Sequence, residues 1–538
     1  MKKNTLLIFS LLSGLLLALP WFQKFSGIIS TIAFLPLLII EDHIYKTKYS
    51  NEHFVLFKYS SLTFLIWNVI ATYWIKNSDF LAAITVITTN TCFMSLTFGL
   101  FHSTKRKFGS KVGNFSFIIY WLSFEYIFIN AELTWPWLNL GNAFANDIKL
   151  IQWYEYTGVL GGTLWILILN LILFKAIKSY FDNKKLRPSI IGFSIYILLL
   201  LMPTLISNHI FKNYKETGDN INIAVLQPNL DPYSEKYNIS QNQQLNTIMT
   251  LADSIVDENI DYMIAPETAI NKAIWENNLN TDSSILKIEE FINHYPNLNF
   301  IIGASTFKKI SIKKKMPAAV RYNEKENFYY VAYNAALQID TTQQIPIYYK
   351  SKLVSGVETM PYLHFFPFLE KLILDFGGVV GSLGTQNERD VFKNSNSGIS
   401  IAPVICYESA FGEHVSDYIK KGANVIIVIT NDGWWGDTPG YKQHLSCSQL
   451  RAIENRRSIA RSANTGISAF INQRGELINH TKWWRKTAIK DTLKSNNKYT
   501  FYTRYGDYIG RIAHFLSIIL VLYLIVNYLT HKNKRFKD

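Results

Sequence analysis

Residues 403–409 read PVICYES, a cysteine placed between a short apolar run and a tyrosine–glutamate pair. A short run rich in β-branched residues that stops at a reactive side chain is the pattern of a buried strand carrying a residue at its end. The run starts earlier, as GISIAPVIC from 398, and the surrounding region repeats the pattern in INIAVLQPN from 221, DYMIAPE from 261, NFIIGAS from 299, FYYVAYNAALQI from 328, NVIIVITND from 424 and TGISAFIN from 465. Between several of these runs, apolar residues fall near helical spacing, in QNQQLNTIMTLADSIV, SSILKIEEFINHY, EHVSDYIKKG and KQHLSCSQLRAIENRR. Strands alternating with helices predict an α/β domain around a sheet core. The stretch from 208 to 509 is long enough to bury a full core of its own.

The rest of the 538-residue chain is of another kind. Overall 49% of its residues are hydrophobic and only 17% charged, too apolar for an ordinary soluble enzyme and too polar for a pure transporter. A helix needs about 20 apolar residues to cross a bilayer. Candidate runs lie near 5–22, 26–40, 54–75, 80–102, 114–131, 163–180 and 189–207, and one more stands alone near 510–530. The first follows MKK, but further spans come at once and no small-residue cleavage site stands behind it, so it reads as an uncleaved span rather than a signal peptide.

Lys and Arg number 54 against 40 acids, a formal charge of +14, and their positions decide what that excess means. MKK, Lys46 with Lys48, STKRKFGSK at 103–111, KAIKSYFDNKKLR at 175–187 and the terminal HKNKRFKD all fall on one face if there are eight spans. Lys and Arg in short loops stay on the cytoplasmic side. The basic excess therefore reads as topology and not as nucleic-acid binding. The expected organisation is a transmembrane domain of about seven helices over 1–207, an extracytoplasmic catalytic domain over 208–509, and a last span with a basic tail over 510–538.

The chain holds three cysteines, Cys92 within an expected span, Cys406, and Cys447 on an expected helix. From the local pattern alone, two readings of Cys406 balance: a nucleophile on one hand, and on the other an inert core thiol or one half of a disulfide with Cys447. A zinc site is disfavoured, because His444 and Cys447 make one helical pair and no second pair has metal-ligand spacing. A cysteine nucleophile needs a base to form the thiolate and a cation or donors for the oxyanion that follows attack. Two other strand ends offer these parts: Glu267 in IAPETAI and Lys350 in IPIYYKSKLVSGVETMP. A single charged residue after a strand is usually a solvated loop residue, but three strand ends carrying base, cation and nucleophile make a constellation.

APET, YYKSKLV with a following glutamate, VICYES and TNDGWWGD, in this order, resemble the nitrilase superfamily. The resemblance implies an α-β-β-α sandwich bearing a Glu-Lys-Cys triad. A domain of this kind inserted before the last of eight spans is similar to the membrane-anchored branch, the apolipoprotein N-acyltransferases of the bacterial cytoplasmic membrane. WPWLNLGN at 135–142, IQWYEYTGVLGG at 151–162, VLQPN at 225–229, YNAAL at 333–337 and RSANTGISAFINQRGE at 461–476 extend the likeness over nearly the whole chain.

By position, the resemblance makes Glu267 the general base, Lys350 the residue that steadies the tetrahedral intermediate, and Cys406 the nucleophile. Glu358 becomes a second acid beside the lysine, and Tyr407 and Glu408 match residues the family requires. Tyr237, Asn334, Pro361 and Trp434 fall on positions linked to substrate binding or site shape. The family commonly has histidine and proline where this chain has Lys352 and Ser355, and Lys352, two residues on, is expected to point to the opposite strand face from Lys350. The implied reaction is acyl transfer from a phospholipid to a diacylglyceryl apolipoprotein, without metal or cofactor, by a monomer whose catalytic domain faces the periplasm. MPYLHFFPFLEKLILDFGG at 360–378 reads either as a core helix or as a lid that dips into the lipid interface. Two rival functions are a membrane-tethered amidase acting on a small amide or nitrile, and a transporter or receptor. The second is disfavoured by how few charges the spans hold, Glu125 being an exception.

Overall fold

The computed structural model describes the chain except residues 48, 237, 312–318, 343, 360–381, 395–396 and 536–538. Tyr237, Pro361 and the 360–378 stretch therefore lie outside the described residues. The chain forms two compact units, one of residues 1–131, 135–213 and 505–538, the other of 132–134 with 214–504.

The first unit is helical. Seven helices among the described residues are long and apolar enough to cross a membrane, from Lys3–Trp21 to Tyr508–Thr530. The longest, Phe80–Asn130, is interrupted at Gly109, whose φ of 82° leaves the helical region. Glycine tolerates that backbone, and the break divides the segment into the two runs expected from the sequence. Large apolar side chains such as Leu198, Leu205, Phe515 and Leu522 point outward, as a helix in lipid requires. Glu125 is buried but fully engaged: it accepts from Leu140 N at 2.8 Å, Trp121 Nε1 at 3.0 Å and Thr163 Oγ1 at 2.6 Å. Such a side chain ties neighbouring segments together.

The second unit is a four-layered sandwich. Among the described residues its first sheet runs from β14 (Thr487–Lys494) through β1 (Asn220–Gln227), β2 (Tyr262–Ile264), β4 (Asn299–Ile310) and β6 (Phe328–Ile339) to β5 (Val320–Asn323), with β3 (Ile270–Trp275) paired to β4 and β7 (Ile347–Tyr349) to β6. The second runs from β13 (Leu477–His480) through β12 (Ala469–Ile471), β11 (Ile459–Ala463), β10 (Val425–Thr430) and β9 (Ser400–Ile405) to β8 (Phe392–Lys393). Side-chain alternation along β1 builds two layers at once. Ile221, Ile223 and Val225 enter the core shared by the two sheets, while Ala224 and Leu226 pack with residues of the helices Gln241–Asp253 and Ser283–Ile292. Residues of the helices Gly412–Lys420 and Pro439–Asn455, such as Val415 and Ala452, join the shared core from the second sheet.

β9, β10 and β11 are parallel, and parallel strands are covered on both faces. That is why VIIVIT is apolar without alternation; all six of its residues are buried. β2 runs parallel to β1 and β4 in the first sheet. Glu267 and Cys406 thus both follow the carboxyl ends of parallel strands, the end at which open α/β sheets place their sites.

Candidate active site

Cys406 is the first residue past β9, and its φ of 50° puts a side-chain-bearing residue in the left-handed region. The chain then turns through a 3₁₀ helix, Cys406–Ala410. This strained corner resembles in kind the sharp turns that present enzymic nucleophiles. Burial pushes the thiol pKa well above its ordinary value, and the Glu267 carboxylate adds to the effect while Lys350 opposes it. The thiol is therefore protonated at rest and needs a base. All three cysteines are free, so the disulfide between Cys406 and Cys447 does not form.

Glu267 lies past β2, and the backbone that carries it presses on β4 so closely that a β-carbon on Gly303 would lie 2.6 Å from Glu267 Cα. Lys350 directly follows β7, and its backbone N–H donates to Asn334 O on β6 at 2.8 Å. The lysine Nζ, almost fully buried, bridges two carboxylates: Glu267 Oε1 at 3.0 Å and Glu358 Oε1 at 2.8 Å. Asn334 Nδ2 donates to the same two oxygens, at 2.8 and 3.1 Å. Val354 N–H holds the other oxygen of Glu358 at 2.8 Å. Burial works against the Glu267 carboxylate, but Lys350, Asn334 and Lys236 outweigh it and hold its pKa below the usual range. Burial likewise disfavours the Lys350 ammonium, and Glu267 and Glu358 reverse this, raising its pKa well above normal. The cluster therefore holds an ionised base and a permanent cation beside a neutral thiol.

Glu408 fastens two of these strand ends to each other. Its Oε2 accepts from Ile405 N at 2.8 Å, just before the cysteine, and its Oε1 accepts from Ser351 N and Tyr348 Oη, both at 2.7 Å, beside Lys350. Burial opposes its charge, but His414 and these backbone donors lower its pKa to about 2. Tyr407 Oη donates to Thr134 O at 3.0 Å. Lys352 does point elsewhere, its Nζ 5.0 Å from the centre of the Phe411 ring. Strand alternation is not the reason, since residues two apart share a strand face. β7 ends at Tyr349 and the chain has already left the sheet.

Several residues at the site escaped the sequence reading. Behind Cys406, Thr430 Oγ1 at the end of β10 lies 3.2 Å from Sγ and 2.9 Å from Asp432 Oδ1, and its one proton serves one or the other. Asp432 also meets His444 Nδ1 at 2.8 Å and Arg461 at 2.6 Å, all three fully buried. His444 Nε2 sits 3.0 Å from Ser409 Oγ and 3.1 Å from Cys406 O, which ties this network to the strained corner. Asp432 stands inside the quoted TNDGWWGD, so the signal was present. Lys236, also buried, donates to Thr268 Oγ1 beside Glu267. Trp434 is half-buried, with its ring 5.4 Å from that of Tyr233, whose hydroxyl donates to Trp434 O at 2.5 Å. Among the described residues no His, Cys, Asp and Glu side chains gather as a metal site.

An ionised carboxylate, an ammonium and a thiol gathered at three strand ends constitute the chemistry of nucleophilic acyl transfer. The carbon-nitrogen hydrolase family model matches residues 222–497, more than half the chain and the whole of this site. The chain belongs to the carbon-nitrogen hydrolase family. A second model, the apolipoprotein N-acyltransferase N-terminal domain, matches residues 13–172 of the helical unit. Among full-length relatives, the apolipoprotein N-acyltransferase of Chlorobaculum tepidum is 27% identical over 95% of this chain and 95% of its own. Those of Geobacter metallireducens and Borreliella burgdorferi are each 25% identical, over 93% and 95% of this chain and 91% and 93% of theirs.

Proposed function

We propose that the protein transfers an acyl chain from a phospholipid to the free α-amino group of an N-terminal diacylglyceryl-cysteine on apolipoproteins, completing lipoprotein maturation. The observation that carries this reading is the cluster of Glu267, Lys350 and Glu358 beside Cys406 in a chain that also bears membrane-length apolar helices. A carbon-nitrogen hydrolase acting on small soluble amides has no use for such helices. A site whose two substrates are both held in a membrane does.

Glu267 takes the proton from the Cys406 thiol, and the electron pair left on sulfur attacks the ester carbonyl of the phospholipid. Lys350 stabilises the oxyanion, the ester C–O bond breaks, and the proton on Glu267 passes to the departing lysophospholipid. A thioester remains on Cys406. The acceptor amine then attacks it, forming the amide C–N bond, breaking the C–S bond, and giving up a proton that restores the thiol. Glu358 and Asn334 keep Lys350 directed at Glu267, and Glu408 keeps Lys350 and Cys406 in register. On this reading both lipid substrates meet the enzyme at the extracytoplasmic face of the bacterial cytoplasmic membrane, a side for residues 208–509 that the distribution of basic loops supports.

Given phospholipid but no acceptor, the purified enzyme should accumulate one acyl chain on the Cys406 peptide, seen by mass spectrometry and released by hydroxylamine. The adduct should disappear when a diacylglyceryl-cysteine peptide with a free amine is added and persist when that amine is blocked. An enzyme that leaves Cys406 unmodified by phospholipid while turning over a soluble amide is an amidase, and the proposal then fails.

A further inference from the structure

Counting the buried charges around Cys406 shows that the triad and Glu358 do not balance. Glu267 and Glu358 bring two carboxylates, Lys350 brings one ammonium, and the neutral thiol brings nothing. The Asp432 carboxylate already has Arg461 as its own counter-ion, and the Glu408 carboxylate is held apart from this group by Ile405 N, Ser351 N and Tyr348 Oη, with His414 Nε2 at 3.3 Å. An uncompensated charge in a desolvated site is costly, and the usual outcome is that a carboxylate takes up a proton. Here that would remove the base.

The missing cation is Lys236. Its side chain is only 4% exposed, and among the described residues its ammonium has no ion-pair partner. It donates to Thr268 Oγ1. Thr268 immediately follows Glu267 and sits at a φ of 46°, a conformation that a threonine adopts only when held. Lys236 is itself held from behind, its carbonyl accepting from Gln244 Nε2 at 2.6 Å and also from Asn271 Nδ2. Burial lowers its pKa to about 8, and the charges of Glu267 and Cys406 act against that fall. The same ammonium helps to keep Glu267 ionised.

We propose that Lys236 is the fourth charge of the active site: it holds the Glu267–Thr268 corner through the Thr268 hydroxyl and compensates the second carboxylate. With it in place, a proton passes from the Cys406 sulfur to a Glu267 oxygen while the charges of Glu267, Glu358, Lys350, Lys236 and Cys406 sum to zero before and after the transfer. This role deepens the acyl-transfer reading and rests on it for the identity of the electrophile, but the charge balance concerns any electrophile that reaches Cys406.

The test is therefore alkylation of Cys406 by iodoacetamide in the full-length protein, followed on the Cys406 peptide by mass spectrometry from pH 5 to pH 10, with no lipid present. Lys236→Met should react about 10-fold more slowly at pH 7, with its pH profile displaced upward by about one unit, the scale of one unit charge at close range in a partly screened site. Lys236→Arg, which keeps the charge, should recover most of the rate. Glu267, Glu358, Lys350, Glu408, His414, Asp432, His444 and Arg461 surround the sulfur or its partners in every variant, so a displacement isolates position 236. Lys236→Gln gives the same reading if the methionine variant does not fold, because its amide can still bond Thr268. A folded Met or Gln variant with the wild-type profile overturns the proposal, as does a Lys236→Arg variant displaced as far as Lys236→Met. If alkylation is displaced as expected while phospholipid never acylates Cys406, the charge assignment stands and the substrate assignment falls.

Discussion

Cys406 lies between two buried charge clusters that are built alike and do different work. On one side Lys350 bridges Glu267 and Glu358; on the other Asp432 bridges His444 and Arg461. The first cluster follows strand ends of the first sheet, and the charges of Glu267 and Lys350 act on the Cys406 thiol. The second belongs to the sheet that carries the cysteine. It grips the backbone of the corner through His444 and, among the described residues, bonds the sulfur through the Thr430 hydroxyl. Burying ions costs folding energy in both places. On the proposed reading the return in the first is reactivity, and in the second it is the fixed geometry of a strained residue.

The largest effect should come from the first cluster. Lys350→Ala and Glu267→Gln should each lower acyl transfer by about 1,000-fold or more, because groups that act as a unit are lost as a unit. Insertion into the membrane and mobility on gel filtration should be retained. A Lys350→Ala enzyme with more than about a tenth of wild-type turnover would show that the two clusters had been assigned the wrong way round.

An intermediate effect, read mainly as stability, should follow from the groups that hold the corner. Asp432→Asn leaves Arg461 buried without its counter-ion and should cost about 3 kcal/mol of stability, with activity falling less than for Lys350→Ala at temperatures where the variant is folded. Glu408 sharpens the distinction through pH. Folding lowers its pKa from an ordinary 4.5 to about 2, a shift worth about 3 kcal/mol. Because the folded pKa is the lower one, this stabilisation is complete above about pH 5 and fades as the pH falls toward 2. Thermal melting should therefore show that Glu408→Gln loses most near neutrality and converges on wild type in acid. Melting curves that stay equally far apart at every pH would remove the carboxylate from this role.

The smallest effects mark the outer edge of both clusters. Lys352→Ala, whose ammonium sits over Phe411, should keep transfer within about threefold of wild type, and Cys447→Ala should do the same. Loss of transfer in Lys352→Ala as complete as in Lys350→Ala would merge the second lysine into the first cluster.

Local pattern was enough for the elements whose burial is apolar. The β9 and β10 runs, the four long helices of the sandwich and the membrane-length helices all follow from periodicity, since apolar area removed from water is recorded residue by residue. It was enough too for the three strand ends, because Glu267, Lys350 and Cys406 each interrupt an apolar run. β11 went unread for the opposite reason. Its IARSA sequence places Arg461 and Ser462 in a fully buried strand, and a buried arginine makes sense only once Asp432 is known to lie opposite it. β13 escaped because an exposed edge strand has no apolar run to announce it.

The sequence by itself determined what kinds of group this chain carries and the strand ends at which they sit, because those depend on neighbours in the chain. Which of them meet was decided by the tertiary structure alone. Lys236 looks like any loop lysine, and it becomes a buried cation only when the fold sets it against Thr268, 32 residues away. Lys350 and Lys352 are two residues apart and chemically alike, and only the end of β7 at Tyr349 sends the first between two carboxylates and the second onto an aromatic ring. Charge interactions fall off over a few ångströms of protein, and a linear pattern holds no measure of that distance until the sheets have packed.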